Sequence, residues 1–286
     1  MHHINLAIGP ARFRVASCWR EPLDQLENLY QYYPQITDEY VDFTVRLEPE
    51  KPWRRYLRPS VHISGDYWLP DAAPLPLDQG LLAAEMGMNL QMALGWRRHL
   101  LLHASSVEKD GRALLMTGLS GSGKSTLSAL LAENGWRFMG DEFALLDPET
   151  GLVHSFPRLI SLKNEAIAAM HKIVPEERFG PFIKNTPKGD IQHIQPPRDA
   201  VKKMAVTAKP AMLLFPRFGY ESALRDMGKS EIFIRLTQAS TNYVALGEPG
   251  FRSLTKFVDQ VPVKAMDYPT GERALALIDE LWDQLP

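Results

Sequence analysis

Apolar residues alternate with polar ones at Val41, Phe43, Val45 and Leu47, the two-residue period of a strand with one buried face. From Asp78 the period lengthens. Leu81, Leu82, Met88, Met92 and Trp96 recur at helical spacing, with Gly95 as the stop. Two apolar runs follow, 101–108 (LLHASSVE) and 112–117 (RALLMT), joined by Lys109-Asp110-Gly111. A short glycine-containing link between such runs predicts a hairpin; with Glu108 opposite Arg112, His103 falls opposite Thr117. Leu127, Leu130 and Leu131 predict a helix capped by Gly135, and a short strand returns from it to Gly140. Phe143–Leu146 and Leu152–Phe156 flank Asp147-Pro148-Glu149-Thr150-Gly151, a turn by composition, so a second hairpin and a mixed sheet are expected. After Thr270, Ala274, Leu275, Ile278, Leu281, Trp282 and Leu285 give an amphipathic helix.

Pro49, Pro52, Pro59, Pro70, Pro74 and Pro76 crowd one segment, and each removes a ladder donor and fixes φ. We place a boundary there, giving a small β-containing amino-terminal domain over 1–76 and a larger α/β core over 77–286.

The chain's 286 residues hold 32 Lys and Arg against 34 Asp and Glu, so a partner bound through whole-molecule charge, nucleic acid or anionic membrane, is not expected. Cys18 is the one cysteine, which excludes an internal disulfide. The start MHHINLAIGPARFRV lacks a leader pattern, and no apolar run approaches the ~20 residues of a spanning helix. The expectation is a cytoplasmic protein, with His2 and His3 incidental at a mobile terminus.

Between the first hairpin and the helix lies Gly118-Leu119-Ser120-Gly121-Ser122-Gly123-Lys124-Ser125, followed by Thr126. This is the G-x-x-x-x-G-K-[ST] pattern, which four fixed positions would produce by chance in about one chain per hundred of this length. A strand before it and a helix after it make chance rarer still. The glycines let successive amides face inward as an anion nest, and the following helix adds its positive end. Lys124 would reach the β- and γ-phosphates, and the Ser125 hydroxyl would meet Mg²⁺.

The neighbours narrow the class. His103 at the mouth of the loop reads either as a proton acceptor or phosphate contact, or as a hydrogen-bonded core histidine. Asp141-Glu142 follows the returning strand, where α/β proteins collect ligands; either carboxylate could orient Mg²⁺ or accept a hydroxyl proton. Neither an N-K-x-D guanine reader nor an L-S-G-G-Q transporter signature is present.

His103-Ala104, the loop 118–125 and Gly140-Asp141-Glu142, in that order, resemble the catalytic domain of HPr kinase/phosphorylase, and most closely the HPr kinase-related kinases. The resemblance covers roughly 98–160. It implies a P-loop fold related to phosphoenolpyruvate carboxykinase, ATP and Mg²⁺ as cofactors, and phosphorylation of a serine hydroxyl. It also implies that His103 and Asp141 act together on that hydroxyl, that Lys124 holds phosphate and that Ser125 serves the metal, for which the position of Asp141 and Glu142 makes them further candidate ligands. A homo-oligomer is permitted, since HPr kinases assemble as hexamers. The family's paired aspartates are Asp141-Glu142 here and its downstream R-G-x-G signature is not recognisable, so neither phosphorylase activity nor HPr as acceptor is carried over.

Further on, Lys184, Lys188, Arg198, Lys202, Lys203 and Lys209 face only Asp190 and Asp199. Asn185–Asp190 reads as a loop, from which Lys188 could close over a γ-phosphate or simply meet solvent. Arg158 and Lys163 read chiefly as solvent-exposed, and Lys51, Arg54, Arg55 and Arg58 around Trp53 and Tyr56 as a charged rim over aromatics. The expected activity is transfer of a γ-phosphoryl group to a protein or peptide serine. A metabolite kinase and a non-catalytic ATP-binding regulator are the alternatives.

Overall fold

The computed structural model describes residues 1–34, 36, 40–67 and 72–285; Pro70 lies outside them. The chain opens with β1 (His2–Ile8), β2 (Ala11–Ser17), α1 (Glu21–Leu29), β3 (Phe43–Pro49), β4 (Ser60–Gly65), β5 (Leu75–Pro76) and α2 (Gly80–Gly95). Next come β6 (Leu100–Leu102), β7 (Ala104–Lys109), β8 (Arg112–Thr117), α3 (Lys124–Glu133), β9 (Arg137–Gly140), β10 (Ala144–Leu146) and β11 (Val153–His154). β12 (Ile160–Lys163), α4 (Glu165–Met170), β13 (Phe179–Thr186), β14 (Gly189–Ile194) and α5 (Arg198–Lys202) follow. The chain closes with β15 (Lys209–Phe218), β16 (Ala223–Asp226), α6 (Lys229–Ala239), α7 (Tyr243–Leu246), α8 (Glu248–Gln260), β17 (Val263–Tyr268) and α9 (Gly271–Asp283).

Packing divides this mixed α/β chain into two units. The first holds Met1–Trp96 with Ser161–His171 and Pro175–Gln195, and the second Arg97–Ile160 with Lys172–Val174 and Pro196–Pro286. A boundary at 76 placed α2 with the core, whereas α2 belongs to the first unit. Its backbone lies so close to β3 that a Cβ on Gly87 would stand 2.5 Å from Val45 Cγ1.

In the first unit the sheet order is β1-β2-β3-β4-β5, with β2 and β3 parallel and joined through α1. Leu23, Leu26 and Leu29 bury one face of that helix. His2 and His3 are exposed but held in β1, opposite Ser17 and Ala16, so they are not a loose terminus. Lys51 and Arg55 stand over the rings of Trp53 and Tyr56, as expected of a rim. Cys18 is a free thiol. The expected loop 185–190 is instead the end of an antiparallel hairpin, with Thr186 opposite Gly189 and only Pro187-Lys188 between.

The second unit is built on a six-stranded mixed sheet, order β16-β17-β15-β8-β7-β9. β15 is parallel to β8 and to β17, while β7 is antiparallel to β8. Leu115, Leu213, Leu254 and Ala265 belong to its fully or nearly fully buried core. The β7–β8 pairing places Lys109 opposite Arg112 and Ala104, not His103, opposite Thr117. Asp110 and Gly111 both have positive φ, 56° and 75°, so they form a two-residue turn matched to the twist of the strands; the three-residue link assumed from sequence displaced the register by one. The second hairpin forms as expected, with Leu146 opposite Val153. Among the described residues no helix is long and apolar enough to cross a membrane.

Candidate functional site

The loop 118–123 leaves the carboxyl end of β8 and leads into α3. Gly118, Gly121 and Gly123 have φ of 148°, 82° and 95°, a conformation that side chains with a Cβ resist. At Gly123 the demand is double, since a Cβ there would also collide with the Tyr268 hydroxyl. Lys124 is buried, and its Nζ donates to the Gly118 and Leu119 carbonyls at 2.8 and 2.9 Å. The ammonium is thereby folded across the loop it would serve. The Ser122 hydroxyl is buried without a hydrogen-bond partner, while Ser120 is exposed and Ser125 and Thr126 are partly buried on the first turn of α3.

Asp141 follows β9, two strands from β8 in the sheet, and is only 3% exposed. Ser105 Oγ donates to its Oδ1 at 2.6 Å, and its Oδ2 is buried with no hydrogen-bond partner. Burial, the largest influence, and the Glu142 charge push the Asp141 carboxyl above the usual range; Ser105, the nearby Ser125 hydroxyl and the Glu142 backbone oppose this. A buried carboxylate oxygen left unpaired is costly, and beside the first turn of α3 it is fitted to a cation or a donated proton. Gly140 is required by packing: a Cβ there would stand 3.0 Å from the carbonyl oxygens of Phe143 and Phe156.

Glu142 adopts φ 71°, the left-handed region, which a residue with a side chain enters only when its surroundings hold it there. His103 is one such constraint. Its Nδ1 lies 3.1 Å from the Glu142 carbonyl oxygen and 3.4 Å from Oε2. A carbonyl can only accept, so Nδ1 carries the proton and donates. The imidazole thus partners Glu142, the neighbour of Asp141. The His103 backbone is fixed as well, with its N–H donating to Ala239 O and its carbonyl accepting from Thr117 Oγ1.

The structure thus gathers His103, the loop, Lys124, Ser125, Asp141 and Glu142 in the second unit. Lys188 is exposed at a hairpin tip of the first unit, and Lys163 ends β12 in that unit. Arg158 was expected in solvent but is 2% exposed, with its guanidinium 6.0 Å from the Phe156 ring centre. Ser105 and Tyr268 were not singled out from sequence. Ser105 lies on β7 two residues after His103, which sits between β6 and β7; Tyr268 lies 145 residues from Gly123 and gives no local signal.

No family model and no curated protein matches the chain. Among solved structures, the chain is similar to the Hpr(Ser) kinase/phosphatase from Coxiella burnetii at 14% identity and a TM-score of 0.29, over 64% of this chain and 94% of that one.

Proposed function

We propose that the second unit is an ATP- and Mg²⁺-dependent kinase that transfers a γ-phosphoryl group to a hydroxyl, the acceptor being a serine of a protein or peptide. One observation carries the reading: the buried, unpaired Asp141 Oδ2 beside the Ser125 end of a phosphate loop whose lysine is already drawn across it. The ordered motif set from His103 to Glu142, with its resemblance to HPr kinase, supports the acceptor class.

In this reading the amides of 118–126 and the Lys124 ammonium hold the triphosphate, and the unpaired Ser122 hydroxyl supplies one further donor. Ser125, Asp141 and Glu142 would hold Mg²⁺, which supplies charge neutralisation between the phosphates. Asp141 Oδ2 accepts the acceptor hydroxyl's proton as its oxygen bonds to the γ-phosphorus and the bond to the β-phosphate oxygen breaks, leaving ADP. A carboxyl raised by burial suits that task, because it binds the proton more strongly than an ordinary aspartate. Ser105 fixes the carboxylate's rotation, and His103 positions Glu142.

The test is transfer of radiolabelled γ-phosphate from ATP into a cell extract, with labelled products separated by size. Label in protein that is lost with Asp141→Asn supports the reading. Label only in small molecules makes the chain a metabolite kinase. ATP binding without consumption makes it a regulator and overturns the enzyme assignment.

A further inference from the structure

A second cluster of chemistry-bearing side chains lies outside the phosphate loop, at one end of the sheet β11-β10-β6. β10 pairs with β6 through Leu146 and Leu100, so the next residue on each strand brings Asp147 beside His99. β10 pairs with β11 through Leu145 and His154. Because side chains alternate in a strand, Leu145 and Asp147 share a face, and His154 stands on that face too. The register thus delivers two imidazoles and one carboxylate, from three different strand ends, to one point.

The side chains meet. One ligand atom from each of His99, Asp147 and His154 lies within 4.8 Å of the other two. His154 Nε2 is 3.5 Å from Asp147 Oδ2, and the two imidazole centres are 4.4 Å apart. The groups behind them are also fixed. Asp147 Oδ1 accepts from the amides of Glu149 and Thr150 at 2.8 and 3.0 Å, which leaves Oδ2 as the oxygen turned to His154. Asn242, 1% exposed, donates to the His99 carbonyl at 2.8 Å and accepts from the Leu101 amide at 2.9 Å, clamping the backbone that carries His99. Such supporting contacts orient metal ligands.

We propose that His99, Asp147 and His154 bind a divalent transition-metal ion of the zinc type, with water as the fourth ligand. Two imidazoles with one carboxylate suit zinc better than Mg²⁺, which takes oxygen ligands. With bonds of about 2.0–2.1 Å, neighbouring ligand atoms of a tetrahedral zinc stand ~3.3 Å apart, close to the present His154–Asp147 separation. The ion would tie the turn 147–151 to the segment entering β6, stapling the open end of the small sheet.

Equilibrium dialysis of the full chain against zinc, followed by metal analysis, tests this. One zinc per chain is expected, retained in a large excess of Mg²⁺, and cobalt in its place should give a four-coordinate visible spectrum. His154→Gln and Asp147→Asn should each weaken zinc on the order of 10²-fold. Asp147→Asn keeps the acceptor that the turn amides use, so it is the milder variant. A His2→Gln, His3→Gln chain should bind as the parent does. If neither variant folds, zinc should shield His154 of the parent from carbethoxylation, mapped by mass spectrometry. No retained zinc, unchanged affinity in folded variants, or unshielded His154 overturns the proposal.

Discussion

Ser105 Oγ donates to Asp141 Oδ1 at 2.6 Å, joining β7, the neighbour of β8, to the carboxylate that follows β9. It holds Oδ1 and leaves Oδ2 as the buried oxygen without a hydrogen-bond partner.

Removing that hydroxyl should change the chemistry more than the fold. A hydrogen bond to a charged group contributes about 1.5–3 kcal/mol, and this one favours the ionised carboxyl. In Ser105→Ala the Asp141 carboxyl should rise further, moving the acidic limb of the kcat–pH profile to higher pH with KM for ATP little changed. An unmoved limb would show that Asp141 is not the group being titrated.

Asp141→Asn should abolish transfer yet stabilise the protein when nucleotide and Mg²⁺ are absent. The Asp141 carboxyl is raised chiefly by burial, so the folded chain binds its proton more tightly than the unfolded chain does. Its contribution is therefore fully present below the ordinary aspartate range and is lost as pH rises through the raised value. Asparagine cannot ionise, so the variant's Tm should exceed the parent's at neutral pH and converge with it in acid. Thermal melts across pH check the crossing.

Lys124→Met keeps the length of the side chain and removes its charge. ATP affinity should fall by on the order of 10²-fold, as when one preorganised donor is deleted at a phosphate or oxyanion site. The Gly118 and Leu119 carbonyls also lose their donor, so a small drop in Tm should accompany the loss. Calorimetric titration with an ATP analogue measures the first effect.

Gly123→Ala meets two penalties at once, a φ of 95° and the Tyr268 hydroxyl. The left-handed conformation alone costs about 1–2 kcal/mol with a Cβ present. Tm should fall, and nucleotide binding with it. Adding Tyr268→Phe should recover part of the stability by removing the colliding oxygen but not the backbone cost. Equal melts for the single and double variants would mean that backbone strain alone accounts for the loss.

Much of this site is local and could be read from the chain. The glycine-rich loop 118–123, its following helix, the carboxylate pair after the returning strand and both hairpins depend on spacing within a few residues, where backbone sterics and side-chain period act directly. Thr270 is a similar case: its Oγ1 caps the last helix by accepting from the Arg273 amide.

Tertiary structure decided the rest. The Asp110-Gly111 turn moved the hairpin register by one, because both residues take positive φ and need no third. Nothing in the neighbourhood of Arg158 marks it as buried, and only packing made it so. Residues 161–171 and 175–195 join the first unit although they follow the phosphate loop by dozens of residues. His103 turned to Glu142, and Ser105 to Asp141, through pairings that cross 39 and 36 residues. Local periodicity fixes which face a side chain presents; it does not fix which distant strand arrives there. The sequence by itself therefore determined the glycine-rich loop, its lysine and the carboxylate pair, while the pairing of β7 with β9 decided which serine, carboxylate and imidazole meet around them.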